Sequence, residues 1–186
     1  WEDNEKHLRK FLKKDYKNNK YDLIVASQSY RAAAPVKAKV NNVIGPLIGL
    51  LNQSGKLLVT HTCGGESIHK ILKLAFKDKE FFPNTAKDII EYLENSPFGK
   101  SGLYSFSNPV SYYFEFKRAP DQTVTELFGH TPDAKWANIL YVGQVAEKDI
   151  QKLESNPRLR NKVRKTIDSS NELKFKNELF SITKER

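Results

Sequence analysis

The chain has 186 residues, 39% hydrophobic and 28% charged, a composition that suits a globular domain with its own core and excludes a disordered or fibrous chain. Its 31 Lys and Arg against 22 Asp and Glu leave a net charge of +9, and its apolar runs are only a handful of residues long, too short to span a membrane. One cysteine, Cys63, excludes an internal disulfide framework; with a charged stretch at Trp1–Asp15 and no signal-peptide pattern, it leads us to expect a cytoplasmic protein.

Residues 3–17 read as an amphipathic helix, with Asp3 placed to cap it and Leu8, Phe11 and Leu12 on one stripe among lysines. Tyr21–Ala26 is nearly continuously apolar, the pattern of a strand covered on both faces in a parallel sheet. After a loop at Ser27–Ala34, Pro35 suits a first helical turn, and Val36, Val40, Val43, Ile44, Leu47, Ile48 and Leu51 recur at helical spacing. Gly45-Pro46 should kink or split that helix. Gln53-Ser54-Gly55 is a stop signal, and Lys56–Thr60 is the next strand. Tyr21–Gly64 is therefore a strand–helix–strand crossover, which should be right-handed.

Gly64-Gly65 ends the second strand. Glu66–Phe76 reads as a helix through Ile68, Ile71, Leu72 and Ala75, and Thr85–Leu93 as another after Pro83. Residues 97–133 differ in composition, holding eight aromatic side chains among Gly and Pro punctuation, with short strands predicted at Leu103–Ser107 and Tyr112–Arg118. Trp136–Gln144 is a strand candidate, Glu147–Glu154 and Pro157–Asp168 are helical, and Leu173–Thr183 closes the chain as a strand with a bend near Asn177.

An interior parallel strand needs a neighbour on each side. Lys56–Thr60 supplies one for Tyr21–Ala26, but residues 1–20 are too polar to supply the other. The expectation is an incomplete domain whose sheet is continued by upstream residues or by a second chain, the alternative being that Tyr21–Ala26 is simply an edge strand.

The order of these elements resembles the class I S-adenosylmethionine-dependent methyltransferases, from their fourth strand onward. Tyr21-Asp22-Leu23-Ile24-Val25-Ala26-Ser27-Gln28-Ser29 resembles their fourth strand. Pro46–Val59 resembles the helix and the "L-x-P-G-G-x-L" entry to the fifth strand, with Ser54 where the first of two glycines is usual. Leu173–Thr183 is similar to the last antiparallel strand, with Trp136–Gln144 as its partner. The implied fold is an α/β, Rossmann-like sheet, mostly parallel with an antiparallel final strand pair and with the N-terminal strands missing. The glycine-rich loop after the family's first strand and the acidic residue ending its second have no counterpart here.

Ligands of such sheets sit beyond the carboxyl ends of strands. The resemblance implies S-adenosylmethionine as cofactor, with Ser27, Gln28 and Ser29 beside its methionine part and Asp3 within reach of the adenine. His61 or Tyr30 would serve as catalytic base, since methyl transfer needs an aligned donor and acceptor and a base only for a protonated acceptor. Arg31 would contact the acceptor. The aromatic insertion, 97–133, would wall its pocket with Tyr112, Tyr113, Phe114 and Phe116, or would form a satellite core instead. His61 suits better a structural role, capping a strand and hydrogen-bonding backbone, and Cys63 suits a packed thiol better than a nucleophile. No metal is expected, because the four histidines and Cys63 lack ligand spacing.

The acceptor stays open, since neither the tetrapeptide of amino-methylating enzymes nor the cysteine pair of cytosine-methylating RNA enzymes occurs. The lysine excess leaves an alternative, a non-catalytic basic module that binds RNA or an acidic partner. A nucleotide-binding α/β domain with an upstream phosphate loop is a third reading, disfavoured by the antiparallel end of the sheet.

Overall fold

The computed structural model of the chain describes residues 7, 8, 10, 19–77, 79–117, 147–169 and 172–186. The expected strand at Trp136–Gln144, residues 118–133 of the aromatic insertion and most of the expected helix at 3–17, Asp3 included, lie outside the described residues. The described residues divide into two compact units, the first drawn from Trp1–Cys63, Phe82–Tyr112 and Asn177–Arg186, the second from Gly64–Phe81 and Tyr113–Lys176.

The crossover forms as its sequence dictates. Strand β1, Tyr21–Ser27, runs parallel to β2, Leu51–Gly64, with Ile24 opposite Leu57, Ala26 opposite Val59 and Ser27 opposite Thr60. Between them the helical path starts after Pro35 as α1, Val36–Lys39, widens into a π-helical turn at Val40–Ile44, and finishes as α2, Gly45–Ile48. Pro46 has no N–H to return to the preceding turn, which accounts for the break in regular α geometry just before it. The path buries Val40, Val43, Ile44 and Ile48 against Ala26, Leu57 and Val59. Each of the Val, Ile and Leu side chains is worth about 1.5–3 kcal/mol relative to leaving it exposed.

The rest of the first unit extends this sheet and covers the same face. Helix α4, Ala86–Glu94, is started by a reciprocal capping box between Thr85 and Asp88 and places Ile89, Ile90 and Leu93 on the core. The short helix Pro97–Lys100 (α5) leads to β3, Tyr104–Phe106. Phe98, Tyr104 and Phe106, from the first part of the aromatic insertion, pack against the main core, as does Leu8 near the N-terminus. The last strand, β5, Glu172–Lys184, lies between β2 and β3 in the order β1-β2-β5-β3, and β4, Val110–Lys117, also pairs with β5.

The strand directions correct the expectation of a mostly parallel sheet. Lys184 reaches the carbonyl of Leu51 while Thr62 meets Asn177, so β5 runs against β2; β3 runs against β5 through Tyr104–Lys184 and Phe106–Ile182. The sheet is mixed, with the crossover as its parallel pair. Its last strand also finds its partners in β2, β3 and β4.

Strand β1 departs from its expected burial as well. It stands at the end of the strand order, and Leu23 and Val25 are 56% and 62% exposed while Ile24 and Ala26 turn to the core. A continuous apolar run does not say whether both faces are covered. Among the described residues only one is.

In the second unit, α3, Glu66–Ala75, is packed by α7, Pro157–Asp168, which also meets α6, Glu147–Glu154. Ile68, Ile71, Leu72, Ala75, Phe81, Leu153, Val163 and Phe175 are its buried apolar residues.

One local feature yields a direct test. The stop signal Gln53-Ser54-Gly55 is a bulge inside β2, where the register jumps from Tyr21–Leu51 to Leu23–Lys56. Ser54 takes a left-handed φ of 63°, and a Cβ on Gly55 would come within 2.7 Å of the Tyr21 carbonyl oxygen. A left-handed serine costs about 1–2 kcal/mol, partly offset by the greater unfolded-state entropy of glycine. Ser54→Gly should therefore raise stability by about 0.5–1 kcal/mol and Ser54→Val should lower it, read as opposite shifts of the urea midpoint.

Candidate functional site

Because Ser27 lies opposite Thr60, the loop after β1 and the carboxyl end of β2 meet at one edge of the parallel pair. The loop's exit is fixed at once. Gln28 takes a left-handed φ of 47°, its N–H donates to Thr60 Oγ1 at 3.1 Å, and that hydroxyl lies 3.3 Å from Ser27 Oγ. A strained residue held this way at a strand end directs the following segment. Ser29 becomes half-buried and Tyr30 and Ala32 fully buried.

Beneath the loop lies a buried polar cluster. Lys39 of α1 is wholly buried and donates to the Ala32 carbonyl at 2.7 Å and to Asn84 Oδ1 at 2.9 Å, with its ammonium 5.5 Å from the centre of the Tyr30 ring. His61 on β2 is also wholly buried. Its Nε2 lies 2.8 Å from the Asn84 carbonyl, which can only accept, so Nε2 carries the proton and Nδ1 presents a lone pair. The Tyr30 and His61 rings stand 5.8 Å apart. Asn84 thus joins the two: its side chain takes the lysine and its backbone takes the histidine.

Burial sets the charge states. It lowers His61 from 6.5 to about 4, with Lys39 nearby adding to the effect against the opposing Asn84 hydrogen bond and the Glu178 and Asp88 carboxylates. It lowers Lys39 from 10.5 to about 8, opposed by Cys63 and Asp88. It also pushes the Tyr30 hydroxyl far above its ordinary value, so in this setting the phenol is a donor and not a base. Three buried polar atoms have no hydrogen-bond partner among the described residues: Ser29 Oγ, Tyr30 OH and His61 Nδ1. Leaving such groups unmatched costs about 1–3 kcal/mol each, so their grouping at a strand end favours a polar ligand there.

Tyr30 and His61 belong to the cluster; Ser29 precedes Tyr30 in the loop with its Oγ buried, Ser27 and Gln28 are exposed at the strand end, and Arg31 is half-buried in the same loop. Cys63 is half-buried with Sγ 3.9 Å from the His61 carbonyl oxygen, the setting of a packed thiol. Tyr112, half-buried, and Tyr113, 58% exposed, lie on β4. Phe114 and Phe116 follow on that strand, their side chains outside the described set, as is Asp3.

Sequence reasoning missed Lys39, Asn84 and Glu178. Lys39 had a visible signal: it falls three residues after Val36 and four before Val43, on the apolar stripe where a lysine has no reason to be unless its amine is held. Glu178, buried on β5 and accepting the Ala86 N–H at 2.7 Å, had none.

No family model matches the sequence, and no curated protein matches it. Three solved structures are similar at low identity. A provisionally assigned methyltransferase of Bacillus halodurans C-125 has 11% identity over 90% of this chain and 66% of its own, with a TM-score of 0.45. The YcgJ protein of Bacillus subtilis has 9% identity over 90% of this chain and 65% of its own, with a TM-score of 0.43. An S-adenosylmethionine-dependent methyltransferase of Thiobacillus denitrificans, in complex with S-adenosyl-L-homocysteine, has 14% identity over 90% and 59%, with a TM-score of 0.31. The chain thus spans less than two thirds of the length of each of these three structures.

Proposed function

We propose that the chain is the acceptor-facing, C-terminal part of an S-adenosylmethionine-dependent methyltransferase acting on an acceptor still to be identified. The observation that carries this reading is the parallel β1–β2 crossover flanked by an antiparallel final strand, the arrangement the sequence resemblance implies, with orphaned polar atoms at the carboxyl end of the parallel pair. These residues fit a polar ligand. Ser29 Oγ and Tyr30 OH would hold the amino-acid part of the cofactor, with Ser27 and Gln28 at the loop's entrance. When bound, the cofactor supplies an electrophilic methyl group. His61, neutral above pH 5, offers Nδ1 as a hydrogen-bond acceptor that orients the nucleophile and takes its proton where one must leave. Arg31 is assigned to the acceptor side.

The glycine-rich loop belongs, in this reading, to strands preceding Tyr21 that would pair with the edge of β1 that has no neighbour among the described residues. Calorimetric titration of S-adenosyl-L-homocysteine into the 186-residue chain and into a chain extended by its native upstream residues tests the proposal. The extended chain should bind, the shorter one far more weakly, and Ser29→Ala/Tyr30→Phe should cost the extended chain at least tenfold. Failure of the extended chain to bind would overturn the reading.

A further inference from the structure

The second unit holds a cavity of about 700 Å³ that the methyl-transfer reading does not use. It opens where α3 ends and α7 begins. Leu74 and Phe76 at the end of α3, Leu153 of α6 and Leu159 of α7 supply apolar lining. Lys77, Lys79, Lys152, Arg158 and Lys162 supply the charge.

Two features give this cavity a sign. Of the five cations only Lys79 has an acidic partner among the described residues, the buried carboxylate of Asp149. Among the described residues the other four have no acidic partner, and they surround an apolar lining. The amino end of α7 also faces the cavity: Asn156, which accepts the Leu159 N–H at 3.1 Å and so caps the helix, lines it together with Arg158 and Leu159. A helix of 12 residues adds partial positive charge at that end. The volume falls within the range of pockets that take small organic ligands, roughly 300–1,000 Å³.

We propose that this cavity binds an organic anion with an apolar body, such as an alkyl or aromatic phosphate, sulfonate or carboxylate. The acidic group would lie among Lys152, Arg158 and Lys162, where the guanidinium can engage two oxygens at once. The apolar body would cover Leu74, Phe76 and Leu159. An anion without an apolar body would leave that lining wet, and a neutral body would leave the cations unmatched. Both halves of the ligand are needed.

Decyl phosphate below its micelle concentration is the probe, titrated calorimetrically into the full chain, with inorganic phosphate and decanol as controls. Decyl phosphate should bind at least tenfold more tightly than either control and raise the melting temperature. Arg158→Glu/Lys162→Glu, at two exposed positions, should lose at least tenfold in affinity while melting within a few degrees of the parent. The milder Arg158→Gln/Lys162→Gln should lose less and covers the case in which charge reversal disturbs folding. Equal affinity for inorganic phosphate, equal affinity for decanol, a lowered melting temperature with decyl phosphate, or undiminished binding by both double variants would each overturn the proposal.

Discussion

Replacing Lys39 with alanine is expected to lower the stability of the chain by about 3–5 kcal/mol, among the largest effects of any single polar substitution here. The amine makes two hydrogen bonds, to Ala32 and Asn84, and each hydrogen bond from a charged donor is worth about 1.5–3 kcal/mol. Alanine removes both, orphans two acceptors and leaves a cavity where the aliphatic stem was. Lys39→Met keeps the stem and removes the cost of burying charge, so its loss should be about half as large. The pH dependence separates the two contributions. The folded chain releases this proton near pH 8 and the unfolded chain near 10.5, so between them the unfolded state binds more protons and stability rises with pH. Wild type should gain about 2 kcal/mol between pH 8 and 10, and Lys39→Met should stay flat. Above pH 10 the sign reverses, because unfolded tyrosine ionises while buried Tyr30 does not. Urea titrations at successive pH values read all of this. A wild type whose stability does not rise in that window would show that Lys39 carries no buried charge.

Lys39 also joins two segments distant in sequence. It ties the loop after β1 to Asn84, and Asn84 orients His61. The tie lies in a side chain that spacing identifies as misplaced but whose partners spacing cannot name. Asn84 sits 45 residues away in an unpatterned stretch before the Thr85 cap.

What was legible in the residues follows the same division. The crossover was readable because its signals are local: a strand-length apolar run, a proline entry, a 3.6-residue repeat and a turn tripeptide. The capped helix after Pro83 and the closing strand were readable for the same reason. Strand direction was not legible in the residues alone, since Glu172–Lys184 has the same alternation whether it runs with or against β2; its antiparallel course was expected only from the family resemblance, and it is found. Nor was the coverage of β1, because Leu23 and Val25 would read identically under a helix or in water. Of the candidate site, Ser29, Tyr30 and His61, though not Lys39 and Asn84, were named from the rule that strand ends carry ligands. Their charge states depend on burial, which a one-dimensional pattern does not report.

His61 offers the sharpest reading of that burial. Unfolded, it takes a proton near pH 6.5; folded, only near pH 4. Above 6.5 both states are neutral and it contributes no pH dependence. As pH falls from 6.5 toward 4, the unfolded state binds the proton first, so stability is lost across that window, by about 3 kcal/mol in all. His69, exposed on α3 and shifted downward by partial desolvation, adds loss of the same sign, so the variant matters more than the raw slope. His61→Gln can still donate to the Asn84 carbonyl but has nothing to titrate. Its stability should fall much less between pH 6.5 and 4 than that of wild type, leaving a difference of about 2–3 kcal/mol at the acid end. Parallel curves would mean that His61 is hydrated and charges freely, and a hydrated histidine would not keep the neutral Nδ1 lone pair at the site. The same measurement therefore bears on chemistry. In the proposed methyl-transfer reading, a histidine that stays neutral to pH 4 would accept a hydrogen bond from the nucleophile at every physiological pH, and would gain a full proton only where methylation makes that nucleophile acidic.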